Sequence, residues 1–316
     1  MSIQSQLNLW GSQGVPFVFL IDFENKKPRA WTLEDCPDSF KYDFQGLRNF
    51  EYRPGPKSAL ETTTTPPDLS DYTQKFNKTK QVLQRGDSFL MNLTTKGILQ
   101  TNKTLEDLFY EAQSAYKLYL KDEFVCFSPE TFIQIKGGKI NTNPMKGTID
   151  ASLSKAKELL LNNPKEQAEH ATIVDLLRND LSLVSKNVQL LEYMQYQEVR
   201  AHGKRTGQLS SWIQGDLDAN YRQHMGDIIY AMLPVGSISG APKAKTVTHI
   251  SRIEHEDRGY YTGIAGIFDG NELDSTVLIR FLEKDGTYRC GGGMTHQSEL
   301  SSEYKELIQK MYVPIF

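Results

Sequence analysis

The chain has 316 residues, of which 39% are hydrophobic and 24% charged, and its formal net charge at pH 7 is −3. This length and composition allow one large domain or two ordinary ones with a sizeable core, and the absence of a basic stripe argues against a nucleic-acid partner. No apolar run approaches the roughly 20 residues that cross a bilayer, and the N-terminus lacks the pattern of a signal peptide. Three scattered cysteines form neither a disulfide framework nor a metal site, so we expect a cytoplasmic protein without a membrane partner.

The first 69 residues predict a strand-rich region followed by a long loop. The run VPFVFLID at residues 15–22 predicts a buried strand, and a small sheet region is expected to continue to about residue 50. Residues 51–69 contain two proline-rich clusters, which favour an extended loop or lid.

From residue 70 onward, predicted strands and helices are mixed without a regular alternation of the two. Short connections between strands, such as residues 269–271, favour antiparallel pairing and therefore an α+β fold class. Helices are predicted at residues 71–84, from a cap at Thr104, at 152–183 with a break at 162–164, at 223–233, from about 241, and from a cap at Ser301 or Ser302 to Met311. Strands are predicted at residues 88–99, 124–127, 131–135, 139–142, 188–199, 207–213, 259–268, 275–282 and 287–294.

Lys146 lies in the segment NPMKGT (residues 143–148), at the tight end of a predicted strand. A strand end is a rigid support that can direct a side chain into a cavity. A free lysine amine has a pKa near 10.4, so only a buried or charge-crowded lysine is neutral often enough to attack carbon at pH 7. The alternative is a solvated lysine in a turn, which this segment alone favours.

Two predicted helices each carry a pair of glutamates three residues apart, Glu166 with Glu169 and Glu303 with Glu306. This spacing places both carboxylates of a pair on one face of the helix. Two such faces turned toward each other would make an oxygen-rich pocket suited to Mg²⁺. For either pair alone, a solvated helix face is the simpler alternative.

Three further segments have features of a ligand site. Residues 236–243 (GSISGAPK) offer backbone N–H groups and hydroxyls to an anion at the start of a helix, although the same residues also suit a plain turn. Arg280 interrupts an apolar strand, so we expect a carboxylate beside it, from a ligand or from a structural salt bridge. Residues 291–293 (GGG) allow close approach of the backbone to a ligand, or form a bulge.

Glu130 lies at the start of a strand that we expect to pair by a hairpin with the strand of Lys146. A carboxylic acid near an amine nucleophile is a natural proton donor for a leaving group. The alternative is a surface glutamate beside a proline turn.

Together these segments resemble the chorismate-utilising enzymes, from about residue 70 to the end of the chain. The resemblance implies a single chorismate-binding domain over residues 1–316, with layered antiparallel β-sheets and flanking helices, in which residues 70–316 carry all the motifs. The matching segments are residues 128–130, 144–148, 166–170, 173–181, 236–243, 258–263, 279–280, 291–293 and 303–306.

Within the family, a lysine at position 146 resembles the aminodeoxychorismate synthases (component I), whereas anthranilate synthases carry alanine there. This resemblance implies that chorismate and ammonia react to give 4-amino-4-deoxychorismate, for p-aminobenzoate and folate synthesis. Lys146 would attack ring C2 while Glu130 protonates the departing C4 hydroxyl, and ammonia would then expel the lysine.

The resemblance also implies a cofactor and a substrate site. Glu169 and Glu306 would hold Mg²⁺ at the ring carboxylate, and Glu166 and Glu303 would support its water ligands. The residues implied in binding the two carboxylates of chorismate are Ser237, Ser239, Gly240, Lys243, Tyr261, Arg280, Gly292 and Gly293.

The sequence departs from the family pattern at several points, including Met145 in place of the usual isoleucine. Ser237 stands where threonine is more frequent, and the family histidine before Gly207 corresponds to either Arg200 or His202. Because the chain lacks a Gly-x-Cys-x-Gly nucleophile elbow, we expect a partner glutamine amidotransferase to supply ammonia. The alternatives are an anthranilate synthase component I or a non-catalytic chorismate-binding subunit.

Overall fold

The structure, a computed structural model, describes residues 1–52, 58–201 and 204–315, without the side chains of 199–201 and 204. Its α-helices are Ile3–Gln13 (α1), Leu69–Gln84 (α2), Leu105–Glu111 (α3), Ala156–Leu161 (α4), Pro164–Ser182 (α5), Met225–Ala231 (α6), Lys243–Glu254 (α7) and Leu300–Gln309 (α8). Its strands are Phe17–Ile21 (β1), Arg29–Thr32 (β2), Phe40–Phe44 (β3), Leu47–Arg48 (β4), Thr62–Thr65 (β5), Leu90–Thr101 (β6), Tyr116–Leu120 (β7), Phe124–Ser128 (β8), Thr131–Lys136 (β9), Lys139–Thr142 (β10), Met145–Asp150 (β11), Lys186–Ala201 (β12), Lys204–Asp216 (β13), Gly240–Ala241 (β14), Ile264–Phe268 (β15), Leu273–Val277 (β16), Phe281–Glu283 (β17) and Thr287–Met294 (β18).

The strands form two nine-stranded sheets. The first has the order β11-β13-β10-β9-β16-β15-β1-β2, with β12 also paired to β13. The second has the order β14-β6-β18-β17-β8-β7-β3-β4, with β5 also paired to β6. Neighbouring strands run antiparallel, as in the pairs β1–β15, β10–β13 and β6–β18, which confirms the predicted α+β class.

The two sheets pack face to face between outer layers of helices. Side chains alternate along a strand, so Phe17, Phe19 and Ile21 of β1 join the core beneath α1, α5 and α6. Val18 and Leu20 of the same strand point into the core shared with the second sheet. The other face of the second sheet packs against α2, α3, α7 and α8. The predicted layers of antiparallel sheets with flanking helices are therefore confirmed.

The N-terminal region agrees with the prediction in its first strand and differs at two places. Helix α1, capped by Ser2, was not predicted. The predicted loop over residues 51–69 contains β5, which pairs with β6 as an edge strand. Residues 53–57 of that loop lie outside the described part of the chain.

Most predicted helices are confirmed, together with their caps. Thr104 forms a capping box with Asp107 at the start of α3, and Asn163 caps α5 with Pro164 in its first turn. The predicted cap of the last helix is wrong, because α8 follows Glu299 and its first turn already contains Ser301 and Ser302. None of the described helices has both the length and the apolar character needed to span a bilayer.

The predicted strand over residues 275–282 is wrong in an informative way. It consists of two strands, β16 in the first sheet and β17 in the second. Arg280, with a φ of 56°, lies at the crossing. Residues 277–279 and 281–282 on the two sides of Arg280 are apolar because both sheets contribute to buried cores, so hydrophobicity alone gives no sign that the chain changes layers here.

Candidate active site

Lys146 is the second residue of β11, not the last residue of the preceding strand. The pairing of β11 with β13 shifts register between Lys146 and Thr148, and such a bulge redirects the adjacent side chains. Gly147 has a φ of 79°, and a Cβ on it would lie 2.9 Å from Glu166 Oε2. A Cβ on Gly293 would lie 3.8 Å from Lys146 Nζ. The bulge therefore directs the half-buried lysine toward β18 of the second sheet, next to a glutamate of α5.

The two glutamate pairs on α5 and α8 face each other, as the sequence predicted. Lys165 Nζ lies 3.6 Å from Glu169 Oε1 on its own helix and 3.6 Å from Glu303 Oε1 on the other. The side chains of Glu169 and Glu303 are 17% and 5% exposed. Among the described residues, neither of these buried oxygens has a hydrogen-bond partner.

Burial and mutual repulsion shape the charge of this cluster. Burial raises the pKa of Glu169, and Glu166 and Glu303 add to the rise while the Lys165 and Lys146 ammonium groups oppose it. Burial also acts on Glu306, but the ion pair with Lys310 and the nearby charges of Lys146 and Lys165 together outweigh it and lower the pKa of that carboxyl. The cluster therefore contains carboxylates that destabilise one another unless cations lie close by.

The donor chemistry of the cluster fits Mg²⁺. No group of three or more His, Cys, Asp or Glu residues within the described ranges is arranged to enclose a metal ion. Mg²⁺ in proteins is often held by only one or two carboxylates, with water in its other positions. Glu169 and Glu303 offer two buried carboxylate oxygens on facing helices that accept no hydrogen bond from the described residues, which is the kind of donor that this ion requires.

Glu130 lies in the short connection between β8 and β9, and its position is fixed by its neighbours. Its carbonyl accepts a hydrogen bond from the Val277 amide at 3.1 Å. Its carboxylate accepts a hydrogen bond from Ser237 Oγ at 2.5 Å. The expected hairpin forms between β9 and β10, whereas Lys146 lies on β11, which pairs with β13 instead. The predicted direct pairing with the strand of Lys146 is therefore wrong.

The segment 236–243 differs from the expected anion loop, because some of its polar groups are already used internally. Ser239 Oγ donates to the Val235 carbonyl at 2.7 Å. The Lys243 ammonium binds Asp180 Oδ1 at 2.7 Å and the Met232 carbonyl at 2.9 Å. Gly240 forms part of β14, and helix α7 begins only at Lys243.

A second part of the candidate substrate site lies where the chain crosses between the sheets. Arg280 lies against the Tyr312 ring, with its guanidinium carbon 5.3 Å from the ring centroid. Its buried Nε has no hydrogen-bond partner within the described residues. An unpaired buried donor of this kind needs an acceptor, which an anionic ligand would provide.

Three glycines of β18 run along this part of the site. A Cβ on Gly291 would lie 2.9 Å from Thr94 Cγ2 and 3.2 Å from the Tyr261 hydroxyl. A Cβ on Gly292 would lie 3.6 Å from Glu303 Oε2. Because Gly293 faces Lys146, the strand connects buried Tyr261, the acidic cluster and the lysine. Burial also raises the pKa of Tyr261, so its hydroxyl is a neutral donor.

Arg258 lies in one of the family motifs, and the sequence alone did not indicate its role. Its side chain is 1% exposed and pairs with Glu254 at 2.7 Å. It also donates to the carbonyls of Ile238 and Asn92, at 2.8 and 2.7 Å. Because Ile238 follows Ser237 directly, this arginine holds the loop that contacts Glu130. The only signal in the sequence was the motif itself.

Two other side chains near the site were also missed. Lys165 shares a helix face with Glu169, four residues on, which its spacing could have indicated. His170 is buried beside the acidic pair, and burial lowers its pKa to about 4. Its Nε2 lies 2.6 Å from Ser211 Oγ. Of the two candidates for the family histidine, His202 lies outside the described residues, as does the side chain of Arg200.

Comparison with known proteins gives a consistent result. The family model for chorismate binding enzymes matches residues 20–315. A PabA-like protein of Haemophilus influenzae is 45% identical over 314 residues, which cover 98% of this chain and 95% of that protein. Aminodeoxychorismate synthase component 1 of Bacillus subtilis is 32% identical over 262 residues, covering 76% of this chain but 54% of that protein.

A solved structure also has the same fold. Anthranilate synthase component I from Streptococcus pneumoniae superimposes with a TM-score of 0.67 at 27% sequence identity. The match covers 80% of this chain and 59% of that structure. The layered sheets and their flanking helices are therefore shared with a protein whose sequence has diverged considerably.

Proposed function

This chain belongs to the family of chorismate binding enzymes, and on that premise we propose that it aminates chorismate at ring C4, as an aminodeoxychorismate synthase component I does. The observation that carries the proposal is the position of Lys146. A primary amine lies between the glycines of β18 and the acidic faces of α5 and α8. A nucleophile held in this way would meet a bound ring at short range, and such positioning lowers a reaction barrier substantially.

In the proposed first step, the Lys146 amine forms a bond to ring C2. Both double bonds of the ring shift toward C4, and the bond from C4 to its hydroxyl breaks. The hydroxyl leaves as water after it takes a proton from Glu130. The lysine adduct therefore equals the sum of lysine and chorismate less one water.

In the proposed second step, ammonia attacks C4, both ring double bonds shift back and the lysine amine leaves from C2. A proton lost by the new C4 ammonium balances the proton that Glu130 gave. The net change is replacement of the C4 hydroxyl by an amino group, with release of water.

Ser237 has a different role in this proposal from the one its sequence suggested. Its hydroxyl donates to Glu130 at 2.5 Å, so it orients the proton donor instead of gripping the substrate. The Lys243–Asp180 pair and the Ser239 bond to Val235 hold the same loop in place. Ser237, Ser239 and Lys243 therefore act as positioning residues.

The two carboxylates of chorismate need separate partners. The unpaired Arg280 Nε and the Tyr261 hydroxyl are donors for the enolpyruvyl carboxylate. The ring carboxylate would lie along Gly292 and Gly293, next to the acidic cluster. Bound Mg²⁺, held by Glu169 and Glu306 with Glu166 and Glu303 supporting its waters, would supply positive charge to this second carboxylate.

Ammonia is the remaining reactant. By analogy with the named relatives, we propose that a separate glutamine amidotransferase chain supplies it and that free ammonium can replace that chain. The first experiment therefore needs only the purified protein, chorismate, Mg²⁺ and ammonium, with the products identified by mass spectrometry. We expect 4-amino-4-deoxychorismate, and we expect Lys146→Ala to abolish it. Lys139→Ala, which removes an exposed lysine from β10, is the matched control and should leave the rate unchanged.

The same experiment separates the alternatives. The likeness to anthranilate synthase component I favours that enzyme as a second candidate, and its product is fluorescent and forms with release of pyruvate. Binding of chorismate without turnover, even at high ammonium concentration, would instead indicate a non-catalytic subunit. Either outcome would contradict the proposed amination at C4.

A further inference from the structure

Lys165 lies in the space between the two acidic helices. Its ammonium is 3.6 Å from Glu169 Oε1 on α5 and 3.6 Å from Glu303 Oε1 on α8. These same two oxygens are buried and lack hydrogen-bond partners among the described residues. One cation therefore bridges the helices at the point where two carboxylates have unused binding capacity.

A divalent ion held in this acidic cluster would conflict with the lysine. Mg²⁺ binds a carboxylate ligand such as Glu169 at about 2.0–2.1 Å, and the Lys165 ammonium, 3.6 Å from Glu169 Oε1 and from Glu303 Oε1, would be a close like charge. At such separations, repulsion between unit charges is strong even in partly solvated protein. The ammonium and the metal ion cannot both keep this position at low energy.

The rest of the side chain permits Lys165 to leave. It is in the first turn of α5, and its side chain is 38% exposed. A lysine stem is flexible and can carry its charge into water. Lys310 differs because it pairs with Glu306 at 2.7 Å on the same helix and does not bridge α5 and α8.

We infer that Lys165 is an internal counter-cation, which holds the acidic helices together without metal, is displaced when Mg²⁺ binds, and so weakens the affinity of the site for Mg²⁺. This inference rests on the proposed metal site. Lys165 therefore stabilises the metal-free protein and, at the same time, lowers the affinity of the site for Mg²⁺.

The test is titration of Mg²⁺ into the metal-free protein by calorimetry, in the absence of chorismate. Lys165→Met and Lys165→Gln should each bind Mg²⁺ about tenfold more tightly than the natural chain, the effect of removing one repulsive neighbour. Lys165→Arg keeps the cation and should bind as the natural chain does. Lys305→Met removes an exposed charge from α8 and controls for the change in net charge.

Thermal unfolding of the same proteins gives a second readout. In the presence of a chelator, Lys165→Met and Lys165→Gln should unfold at a lower temperature than the natural chain, and saturating Mg²⁺ should restore most of the difference. If Lys165 had a purely structural role, its replacement would lower the unfolding temperature equally with and without Mg²⁺.

The outcomes separate the two levels of the proposal. Unchanged or weaker Mg²⁺ binding by both neutral variants, with normal binding by the natural chain, would overturn the role of Lys165 alone. If Lys305→Met tightened binding as much as Lys165→Met, net charge would explain the effect and the inference would be wrong. If neither the natural chain nor any variant bound Mg²⁺, the metal site itself would be refuted, and the inference with it.

Discussion

Two buried groups of charges in this protein differ in how completely they are satisfied. Around Arg258, the guanidinium pairs with Glu254, donates to two backbone carbonyls and lies 4.4 Å from the Phe23 ring centroid. Between α5 and α8, by contrast, Glu169 and Glu303 each keep a buried oxygen without a hydrogen bond in the described structure. The first group has hydrogen-bonding partners within the chain, whereas, in the described part of the chain, these two oxygens have only the Lys165 ammonium at 3.6 Å.

The difference separates a structural network from a ligand site. Buried polar groups in folded proteins nearly always find partners, so a satisfied network such as that of Arg258 stabilises one arrangement of the chain. An unsatisfied group costs free energy that a bound ligand can recover. The following variants test whether the first group serves the fold and the second serves the reaction.

The largest effect on stability is expected for Arg258→Met. It leaves Glu254 as a buried carboxylate without its charged partner, which should lower the free energy of unfolding by about 3–5 kcal/mol. Denaturant unfolding measures this loss. Lys284→Met breaks an exposed pair with Asp122 and should cost less than about 1 kcal/mol. Equal losses in the two variants would show that the buried network contributes no more to stability than an exposed ion pair does.

The opposite result is expected for the double variant Glu169→Gln, Glu303→Gln. It removes two charges from a repelling cluster, so the metal-free protein should be no less stable than the natural chain. Activity should fall about 100-fold or more, the scale on which changes around a metal site act. Glu158→Gln, on an exposed face of α4, is the control. A double variant that lost stability and kept its activity would reverse the contrast between the two groups.

A smaller effect is expected for Ser237→Ala, which removes the hydrogen bond to Glu130. The free acid would be less well oriented, so kcat should fall about tenfold while KM changes little. Steady-state kinetics measure both parameters. Ser237→Thr keeps the hydroxyl and should recover the rate. A change confined to KM would return Ser237 to the role of a substrate ligand.

The smallest effect is a dependence of stability on pH. Burial raises the pKa of Glu169 above its ordinary value of 4.5, so the folded chain holds this proton to a higher pH than the unfolded chain does. The free energy of unfolding should therefore fall as pH rises from about 4.5 through the raised pKa. Glu169→Gln should lessen that fall when unfolding is measured with a chelator from about pH 4 to about pH 7. A steeper fall in the variant would contradict the direction of the shift.

The sequence predicted the acidic faces well because their geometry is local. Glutamates three residues apart on a helix must share a face, and the motifs on α5 and α8 supplied the pairing between helices. The strand of Lys146 was harder to predict, since the turn between β10 and β11 and the bulge at Gly147 depend on pairing with the distant β13.

The remaining differences arise from tertiary contacts. Ser237 and Lys243 were expected at the substrate. Instead, Ser237 binds Glu130 and Lys243 binds Asp180, and in each pair the partners are more than 60 residues apart in sequence. Apolar residues flank Arg280 on both sides, so the sequence marks the crossing only by the charge of Arg280 itself, which we read as a ligand or salt-bridge residue. Lys165 was overlooked because a lysine near glutamates on a helix is typical of a solvated face, and only the packing of α8 makes it a bridge.

The most direct test of the proposed chemistry is the mass of the protein after incubation with chorismate and Mg²⁺ without an ammonia source. We expect a fraction of the natural chain to gain the mass of chorismate less one water, with the added mass located on the peptide that contains Lys146. The adduct should disappear when ammonium is added and should be absent from Lys146→Ala. Turnover to 4-amino-4-deoxychorismate by Lys146→Ala at the natural rate, or an adduct on a different residue, would contradict the central role of Lys146.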